Sequence, residues 1–144
     1  MMKADFESLV EELGGRLITT QGEVKTVRQA AKELGVEEEQ IIKTLVVITK
    51  DGPVLAILDG RSRLDLSKVG RGARLASPRE VEEHTGYRVG EVPPVGIPLR
   101  TLVDERVLRW DRVYGGGGSI RRLVELDPRT IVRYQKAEVR RLRV

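Results

Sequence analysis

The longest apolar run of the chain, residues 41–48, contains a lysine near its start. From Thr44 onward, residues of both parities are apolar, which is typical of a strand buried on both faces. Lys43 shares the parity of Leu45 and Val47, so a strand that begins here directs its side chain toward the same interior. A lysine so placed needs an anionic partner, a route to water, or loss of its proton. Lys43 is therefore a candidate functional residue. The structural alternative is that Lys43 ends the preceding helix or pairs with a carboxylate at the rim of the sheet.

Composition predicts a soluble globular protein with residues 1–144 in one domain. Hydrophobic residues make up 40% and charged residues 33%, and no apolar run reaches the ~18 residues of a membrane span. The absence of cysteine excludes disulfides, thiol catalysis and cysteine-ligated zinc. The chain also lacks asparagine, and few thermolabile amides among many charges indicate a heat-adapted, cytoplasmic protein.

The charge balance is basic, with a formal net charge of +4 and a pI near 9.6. Arginine far outnumbers lysine, and guanidinium groups bind phosphate through two parallel hydrogen bonds. The C-terminal stretch, residues 133–144, is predicted to contact nucleic-acid phosphates, although an ordinary solvated surface is equally compatible with the charge alone. Against one acidic residue, Glu138, the stretch carries five basic residues: Arg133, Lys136, Arg140, Arg141 and Arg143. Four further arginines are candidates for the same phosphate-binding surface: Arg61, Arg63, Arg121 and Arg122.

Hydrophobic periodicity and capping signals predict an α/β fold with a mixed or largely antiparallel sheet. Helices are expected from a cap at Asp5, after the capping box at Thr26, after Ser77-Pro78, and from Asp127-Pro128. Short helices are expected at 37–40 and 105–109. Strands are expected at 16–20, 44–48, 54–58, 61–65, 73–76, 99–103 and 120–126, with a hairpin turn at Asp59-Gly60.

Side chains suited to catalysis are few. The single histidine, His84, lies in a predicted helix, and no Ser-His-Asp set or metal-ligand spacing occurs. Gly115–Gly118 lacks the Gly-Lys-Ser/Thr ending of a Walker motif. This run and the loop from Gly90 to Gly96 are either plain flexible loops or backbone brought close to a ligand, with amides free to donate.

Four segments together resemble the YbaK/EbsC family, which contains the prolyl-tRNA synthetase editing domain and its free-standing relatives. The resemblance covers residues 26–126 and rests on these series: Thr26…Ala30-Ala31…Leu34-Gly35-Val36, Gln40-Ile41-Ile42-Lys43-Thr44-Leu45-Val46, Arg63-Leu64-Asp65-Leu66-Ser67-Lys68-Val69, and Thr85-Gly86-Tyr87…Gly90…Pro94…Gly96.

The resemblance implies a compact α/β domain with a mixed, mostly antiparallel, barrel-like sheet surrounded by helices. It implies trans-editing, the hydrolysis of a wrong amino acid from a mischarged tRNA, above all tRNA(Pro). The expected partners are the tRNA acceptor end and prolyl-tRNA synthetase. The protein is expected to be a monomer or homodimer that uses no cofactor or metal and does not bind a membrane. The implied catalytic residues are Lys43 and Gly90, and the implied substrate-binding residues are Thr20, Pro94, Gly96, Gly116 and Gly117.

The chain departs from the family pattern late in the sequence. Gly116 stands where relatives have a serine, and Leu123 stands where many have an aspartate. The histidine and asparagine of alanine-editing relatives are absent, so the cysteine-editing subtype fits slightly better. Two alternatives to a deacylase remain: a module that binds a tRNA 3′ end or nucleotide without hydrolysis, and a small-molecule binder with a basic surface.

Overall fold

The apolar run becomes the first strand of a hairpin at the centre of the larger of two sheets. The computed structural model describes residues 3–144. Within them, the eight strands are β1 (Arg16–Thr19), β2 (Ile42–Thr49), β3 (Gly52–Asp59), β4 (Arg74–Leu75), β5 (Arg100–Asp104), β6 (Val113–Gly116), β7 (Arg122–Leu126) and β8 (Glu138–Arg140). The α-helices are α1 (Lys3–Glu12), α2 (Val27–Leu34), α3 (Pro78–Thr85) and α4 (Pro128–Gln135), and 3₁₀ helices span Glu38–Gln40, Leu66–Lys68 and Glu105–Arg109.

The larger sheet is mixed, in the order β4-β2-β3-β5-β8. β2 and β3 form an antiparallel hairpin whose register runs from Ile42 opposite Asp59 to Thr49 opposite Gly52. β5 lies parallel to β3, and β8 lies parallel to β5. The chain reaches each of these parallel strands only after a long connection, because parallel neighbours cannot be joined by a tight turn.

The smaller sheet is antiparallel, in the order β1-β7-β6. A single parallel bridge between Ile41 and Tyr114 lies between it and the larger sheet. β4 is an edge strand of two residues, and among the described residues no strand belongs to both sheets. The two sheets therefore stay open, and the barrel-like sheet expected from the resemblance is wrong, whereas the compact α/β domain with a mixed sheet is confirmed.

β3 is the centre of the core. Every residue of β3 from Val54 to Asp59 is buried, as the apolar run in the sequence predicted. Ile57 packs in one apolar cluster with Phe6 of α1 and Ile131 of α4, and Leu58 packs in a second cluster on the other face of the sheet. Truncating such a buried side chain to alanine costs ~2–5 kcal/mol. These contacts fix the position of β2 beside β3.

Helix starts follow the capping signals at three of the four predicted positions. The side chains of Thr26, Ser77 and Asp127 accept hydrogen bonds from backbone N–H groups in the first turns of α2, α3 and α4. The prediction at Asp5 is wrong, since α1 already begins at Lys3. No helix among residues 3–144 is long and apolar enough to cross a membrane.

The predicted hairpin at Asp59-Gly60 and the strand at residues 61–65 are also wrong. The Asp59 carboxylate accepts hydrogen bonds from the backbone N–H groups of Arg61 and Ser62 and from the Ser62 hydroxyl. These bonds curl the chain into a compact turn instead of a return strand. The segment after the turn pairs with the C-terminal segment, through a bridge between Leu64 and Arg143.

Candidate functional site

A cavity of about 310 Å³ lies beside β2 and is named here the β2 cavity. Its wall contains residues 41–46, the start of α2 with the residues before it, the loop around Gly90, and two glycines of β6, Gly115 and Gly116. Four segments that are far apart in the sequence thus meet at one place. Lys43, Gly90 and Gly116, three of the residues implied by the family resemblance, all contribute to this wall.

Lys43 is the half-buried lysine of β2, opposite Leu58 in the hairpin. Its ammonium donates a hydrogen bond to the carbonyl oxygen of Ser62, with 2.6 Å between Nζ and the oxygen. Burial lowers the pKa of Lys43 below its ordinary value, and the nearby negative charge of Asp59 opposes that shift. An ammonium has three donors, so the bond to Ser62 leaves two for a ligand.

The β2 cavity is apolar with a positive edge, where the Lys25 ammonium lies 3.4 Å from a carboxylate oxygen of Glu23. Among its described lining residues, Lys25 and Lys43 are the charged ones, and none is an aspartate, glutamate or histidine. Thr26 and Thr44 supply hydroxyl groups. The Thr44 hydroxyl is buried and has no hydrogen-bond partner among residues 3–144. Such a wall suits an uncharged group beside an anion or a polarised carbonyl, and it offers no side-chain carboxylate or imidazole as a base.

The two glycine-rich segments pack directly on each other. A methyl group added at Gly116 would lie 2.5 Å from the carbonyl oxygen of Val92, and one at Gly115 would lie 3.4 Å from Pro94. The amide of Gly118 donates to the carbonyl of Glu91 across 3.0 Å. Both segments were predicted either as flexible loops or as backbone near a ligand. Gly115 and Gly116 lie in β6. The Val92 backbone requires the small size of Gly116, whereas Gly115 faces the side chains of Ile42 and Pro94.

Gly90 differs from these glycines because space is open around it. Its φ is +84°, in the left-handed region, and a methyl group built there has no neighbouring atom within 4 Å. Its conformation therefore favours glycine, whereas neighbouring atoms do not exclude a side chain. The backbone at Gly90 can come close to a molecule bound in the β2 cavity.

Four other implied residues lie outside the cavity wall. Thr20 is buried, and its hydroxyl donates to the carbonyl of Gly22. Pro94 packs beside Gly115, and the amide of Gly96 donates a hydrogen bond to the side chain of Gln135. Gly117 packs on the backbone of Arg122 and donates its amide to that residue's carbonyl. These contacts show supporting positions, so a direct substrate-binding role for these residues stays a prediction.

The start of α2 is the part of the wall that sequence reasoning missed. Lys25, Thr26 and Val27 line the β2 cavity, and Thr26 caps the helix by accepting from the amide of Gln29 across 3.1 Å. The capping box identified the helix start, but only the tertiary structure places it against β2. A helix N-terminus carries partial positive charge, so it adds to the positive edge formed by the lysines.

The basic C-terminal stretch is a folded part of the protein. Arg140 pairs with Glu138, and Arg143, only 8% exposed, pairs with Asp104 and Glu105. Asp104 and Glu105 are distant in sequence, which is why the charge count of residues 133–144 suggested unbalanced cations. Arg143 is consequently unavailable to an external phosphate. His84 is exposed on α3, in agreement with its interpretation as a surface residue.

Comparison with known proteins assigns the chain to a family. Residues 21–134 match the model of the aminoacyl-tRNA editing domain. The chain belongs to the aminoacyl-tRNA editing domain family. This match confirms the resemblance inferred from the Lys43 strand and the Gly90 loop, and it includes every segment of the β2 cavity wall.

Individual members of the aminoacyl-tRNA editing family agree with this assignment. EbsC of Enterococcus faecalis, named as a proposed Cys-tRNA(Pro)/Cys-tRNA(Cys) deacylase, is 29% identical over 115 residues, which are 74% of this chain and 70% of EbsC. The proline–tRNA ligase of Halalkalibacterium halodurans is 37% identical over 112 residues, 74% of this chain but only 20% of the ligase.

A solved structure extends the agreement to the backbone. The crystal structure of a proposed trans-editing enzyme for prolyl-tRNA synthetase superposes with a TM-score of 0.89 at 32% identity. The superposition covers 99% of this chain and 96% of that one. The two-sheet architecture described above is therefore that of the editing family.

Proposed function

We propose that this protein is an aminoacyl-tRNA deacylase that removes a wrong amino acid from tRNA, with tRNA(Pro) as the expected carrier. The observation that carries the proposal is that Lys43, Gly90 and Gly116 line one cavity in a domain of the editing family. The similarity to a proline–tRNA ligase and to EbsC supports tRNA(Pro) and a role beside prolyl-tRNA synthetase. Such a role belongs where translation occurs, in line with the cytoplasmic location predicted from the sequence.

The reaction is hydrolysis of the ester between the amino acid and the terminal ribose. A water molecule adds to the ester carbonyl, the bond from that carbon to the ribose oxygen breaks, and the ribose oxygen takes a proton derived from the water. None of the described residues that line the cavity supplies a carboxylate or imidazole to act as a base. The substrate's own groups or further water must therefore carry that proton, and the protein acts chiefly by positioning and by stabilising charge.

Lys43 and the backbone at Gly90 are the groups suited to the developing oxyanion. The Lys43 ammonium retains donors beyond its bond to Ser62, and a half-buried ammonium interacts more strongly with charge than one in bulk water. Glycine at position 90 lets the backbone approach the ester without a side chain between them. Removal of one oxyanion donor in enzymes of this chemistry costs ~10²–10³ in rate.

Apolar side chains dominate the rest of the wall, including Val27, Val46 and Val92. A thiol is weakly polar and packs well on such surfaces, so cysteine is the amino acid that we expect to be removed. The name of EbsC agrees with this specificity. Alanine is also small and apolar, and the absence of the family's alanine-editing histidine and asparagine argues against it.

The direct test is deacylation of Cys-tRNA(Pro), Ala-tRNA(Pro) and Pro-tRNA(Pro) by the pure protein. We expect Cys-tRNA(Pro) to be hydrolysed fastest and Pro-tRNA(Pro) to be spared. Faster hydrolysis of Ala-tRNA(Pro) would support the deacylase function but would show that alanine, not cysteine, is the amino acid removed. Rates equal to spontaneous hydrolysis for all three would overturn the deacylase.

The lack of a base in the cavity wall favours one alternative, a domain that binds the aminoacylated tRNA end without hydrolysing it. Filter binding with the same tRNAs separates the two functions. A pure binding domain holds Cys-tRNA(Pro) and protects its ester, whereas a deacylase releases cysteine at a rate that depends on Lys43. A small-molecule binder would retain none of the tRNAs at physiological salt.

A further inference from the structure

A second cavity, of about 450 Å³, opens on the other side of the turn at residues 59–62. It lies between that turn, the 3₁₀ helix Glu105–Arg109 and the C-terminal segment. Five of its lining residues are arginines and one is the sole tryptophan of the chain: Arg61, Arg63, Arg106, Arg109, Arg143 and Trp110. We name it the arginine cavity.

The positive charge of this cavity is only partly balanced. Arg143 pairs with Asp104 and Glu105, and Arg61 lies 3.7 Å from a carboxylate oxygen of Glu39. The side chains of the other three arginines, Arg63, Arg106 and Arg109, have no ion-pair or hydrogen-bond partner among residues 3–144. Arg63, Arg106 and Arg109 are exposed residues that line the same concave surface. An anion bound among their guanidinium groups offsets the repulsion between the like charges.

Hydrogen bonds hold the turn and the C-terminal segment on one side of the arginine cavity. The Asp59 carboxylate, 2% exposed, accepts from two backbone amides and from the Ser62 hydroxyl. The amide of Val144 donates to the carbonyl of Arg63, which joins the C-terminal segment to the chain that follows the turn. These bonds fix the backbone from which the Arg63 side chain extends, so binding an anion requires less ordering of that segment.

We propose that the arginine cavity binds a nucleotide phosphate. Guanidinium groups of Arg63, Arg106 and Arg109 would bind the phosphate oxygens, for which their planar, forked geometry is suited. Trp110 would supply an aromatic surface for the attached base, since stacking on an aromatic side chain contributes ~1–3 kcal/mol per base. The phosphate can belong to an RNA strand or to a free nucleotide. This site does not depend on the proposed deacylase reaction.

An RNA strand and a free nucleotide differ in how they would reach the arginine cavity, and the RNA alternative rests on the proposed binding of a tRNA end in the β2 cavity. Ser62 lines the arginine cavity, and its carbonyl accepts from the Lys43 ammonium at the β2 cavity. One turn of the chain thus separates the two cavities. A strand whose end enters the β2 cavity has phosphates a few ångströms from that end, while a mononucleotide would occupy the arginine cavity alone.

Trp110 is the only tryptophan, so its fluorescence reports on the arginine cavity in the intact protein. The protein is titrated with AMP and, separately, with a hexa-adenylate RNA. The test variant is Arg106→Ala/Arg109→Ala, which removes two exposed guanidinium groups from the cavity. The matched control is Arg71→Ala/Arg79→Ala, which removes two exposed arginines that do not line it.

We expect the fluorescence of the parent protein to change to saturation as ligand is added. The affinity derived from this change should be at least tenfold weaker for Arg106→Ala/Arg109→Ala than for the parent, and less than threefold weaker for the control. Tighter binding of hexa-adenylate than of AMP by tenfold or more identifies an RNA strand, and equal binding identifies a free nucleotide. The proposal is overturned if neither ligand gives saturation at millimolar concentration, or if both double variants lose the same affinity. Since no acylated tRNA is used, this result stands apart from the deacylation test.

Discussion

The ammonium of Lys43 and the carbonyl oxygen of Ser62 are joined by a hydrogen bond of 2.6 Å that links two cavities. Lys43 lines the apolar β2 cavity, and Ser62 lines the arginine cavity. The turn that contains Ser62 is itself held by the buried carboxylate of Asp59. The position of the Lys43 ammonium is therefore set by the turn at residues 59–62, which follows the Ile42–Asp59 pair next to Lys43.

Replacing Lys43 with methionine tests its role in hydrolysis. The change removes the ammonium and keeps the unbranched carbon chain, so it also removes the cost of burying a charge. We expect at least a hundredfold loss of Cys-tRNA(Pro) deacylation, measured by cysteine release, with a melting temperature equal to or above that of the parent. A large fall in melting temperature together with normal activity per folded molecule would show that Lys43 is structural.

The lowered pKa of Lys43 predicts the pH dependence of the reaction. Burial favours the neutral amine, so the proton is lost at a pH below the ordinary value of 10.5. If the ammonium stabilises the oxyanion, the enzymatic rate falls as pH rises through this lowered pKa, after subtraction of spontaneous ester hydrolysis. Lys43→Arg, which stays charged, should keep any residual activity constant over the same range. A parent rate that keeps rising across that range contradicts the role of the ammonium.

The same shift predicts a change in stability. Between the lowered pKa and 10.5, the unfolded chain binds more protons at Lys43 than the folded one, so this group makes the free energy of unfolding rise with pH. Below the lowered pKa, the cost of burying the ammonium is fully present. Chemical denaturation of the parent and of Lys43→Met should therefore show their stabilities converging as pH rises through this interval. A constant difference between the two proteins would contradict the pKa assignment.

Substituting Gly90 with alanine tests the backbone next to the β2 cavity. Alanine at φ +84° is strained by ~1–2 kcal/mol, although no neighbouring atom blocks the methyl group. We expect at least a tenfold loss of deacylation, equivalent to about 1.4 kcal/mol of barrier. Gly52→Ala is the matched control, because Gly52 also has positive φ and open space but lies in the remote β2–β3 turn. Equal rates for the Gly90 variant and the parent would exclude a functional backbone there.

Replacing Gly116 with alanine tests the packing of the two glycine-rich segments. A methyl group there would lie 2.5 Å from the Val92 carbonyl oxygen, and backbone cannot move aside as a side chain can. We expect Gly116→Ala to lower the free energy of unfolding by roughly 1–3 kcal/mol and to reduce deacylation as the cavity wall moves. Gly22→Ala, where space is open, should change neither. Urea denaturation of both variants measures the difference, and an unchanged Gly116 variant would show that the segments separate freely.

The family resemblance and much of the fold could be read from local sequence signals. The apolar run at 41–48 predicted a strand buried on both faces, and hydrogen-bonding side chains at Thr26, Ser77 and Asp127 predicted helix starts. These features depend on residues within one turn or one strand, so neighbouring positions carry enough information. The strand containing Lys43 and the loop containing Gly90 were also predicted as parts of one site, but only through the family resemblance.

Tertiary structure decided what no local pattern encodes. Arg143 belongs to a basic sequence, yet its partners Asp104 and Glu105 come from another part of the chain, so a predicted phosphate contact became a buried ion pair. Asp59 and Gly60 suggested a hairpin, but the Asp59 carboxylate accepts hydrogen bonds from the amides of Arg61 and Ser62, and these bonds curl the chain toward Lys43. Opposite charges and backbone donors act through space, so their pairing depends on how distant strands pack and not on sequence spacing.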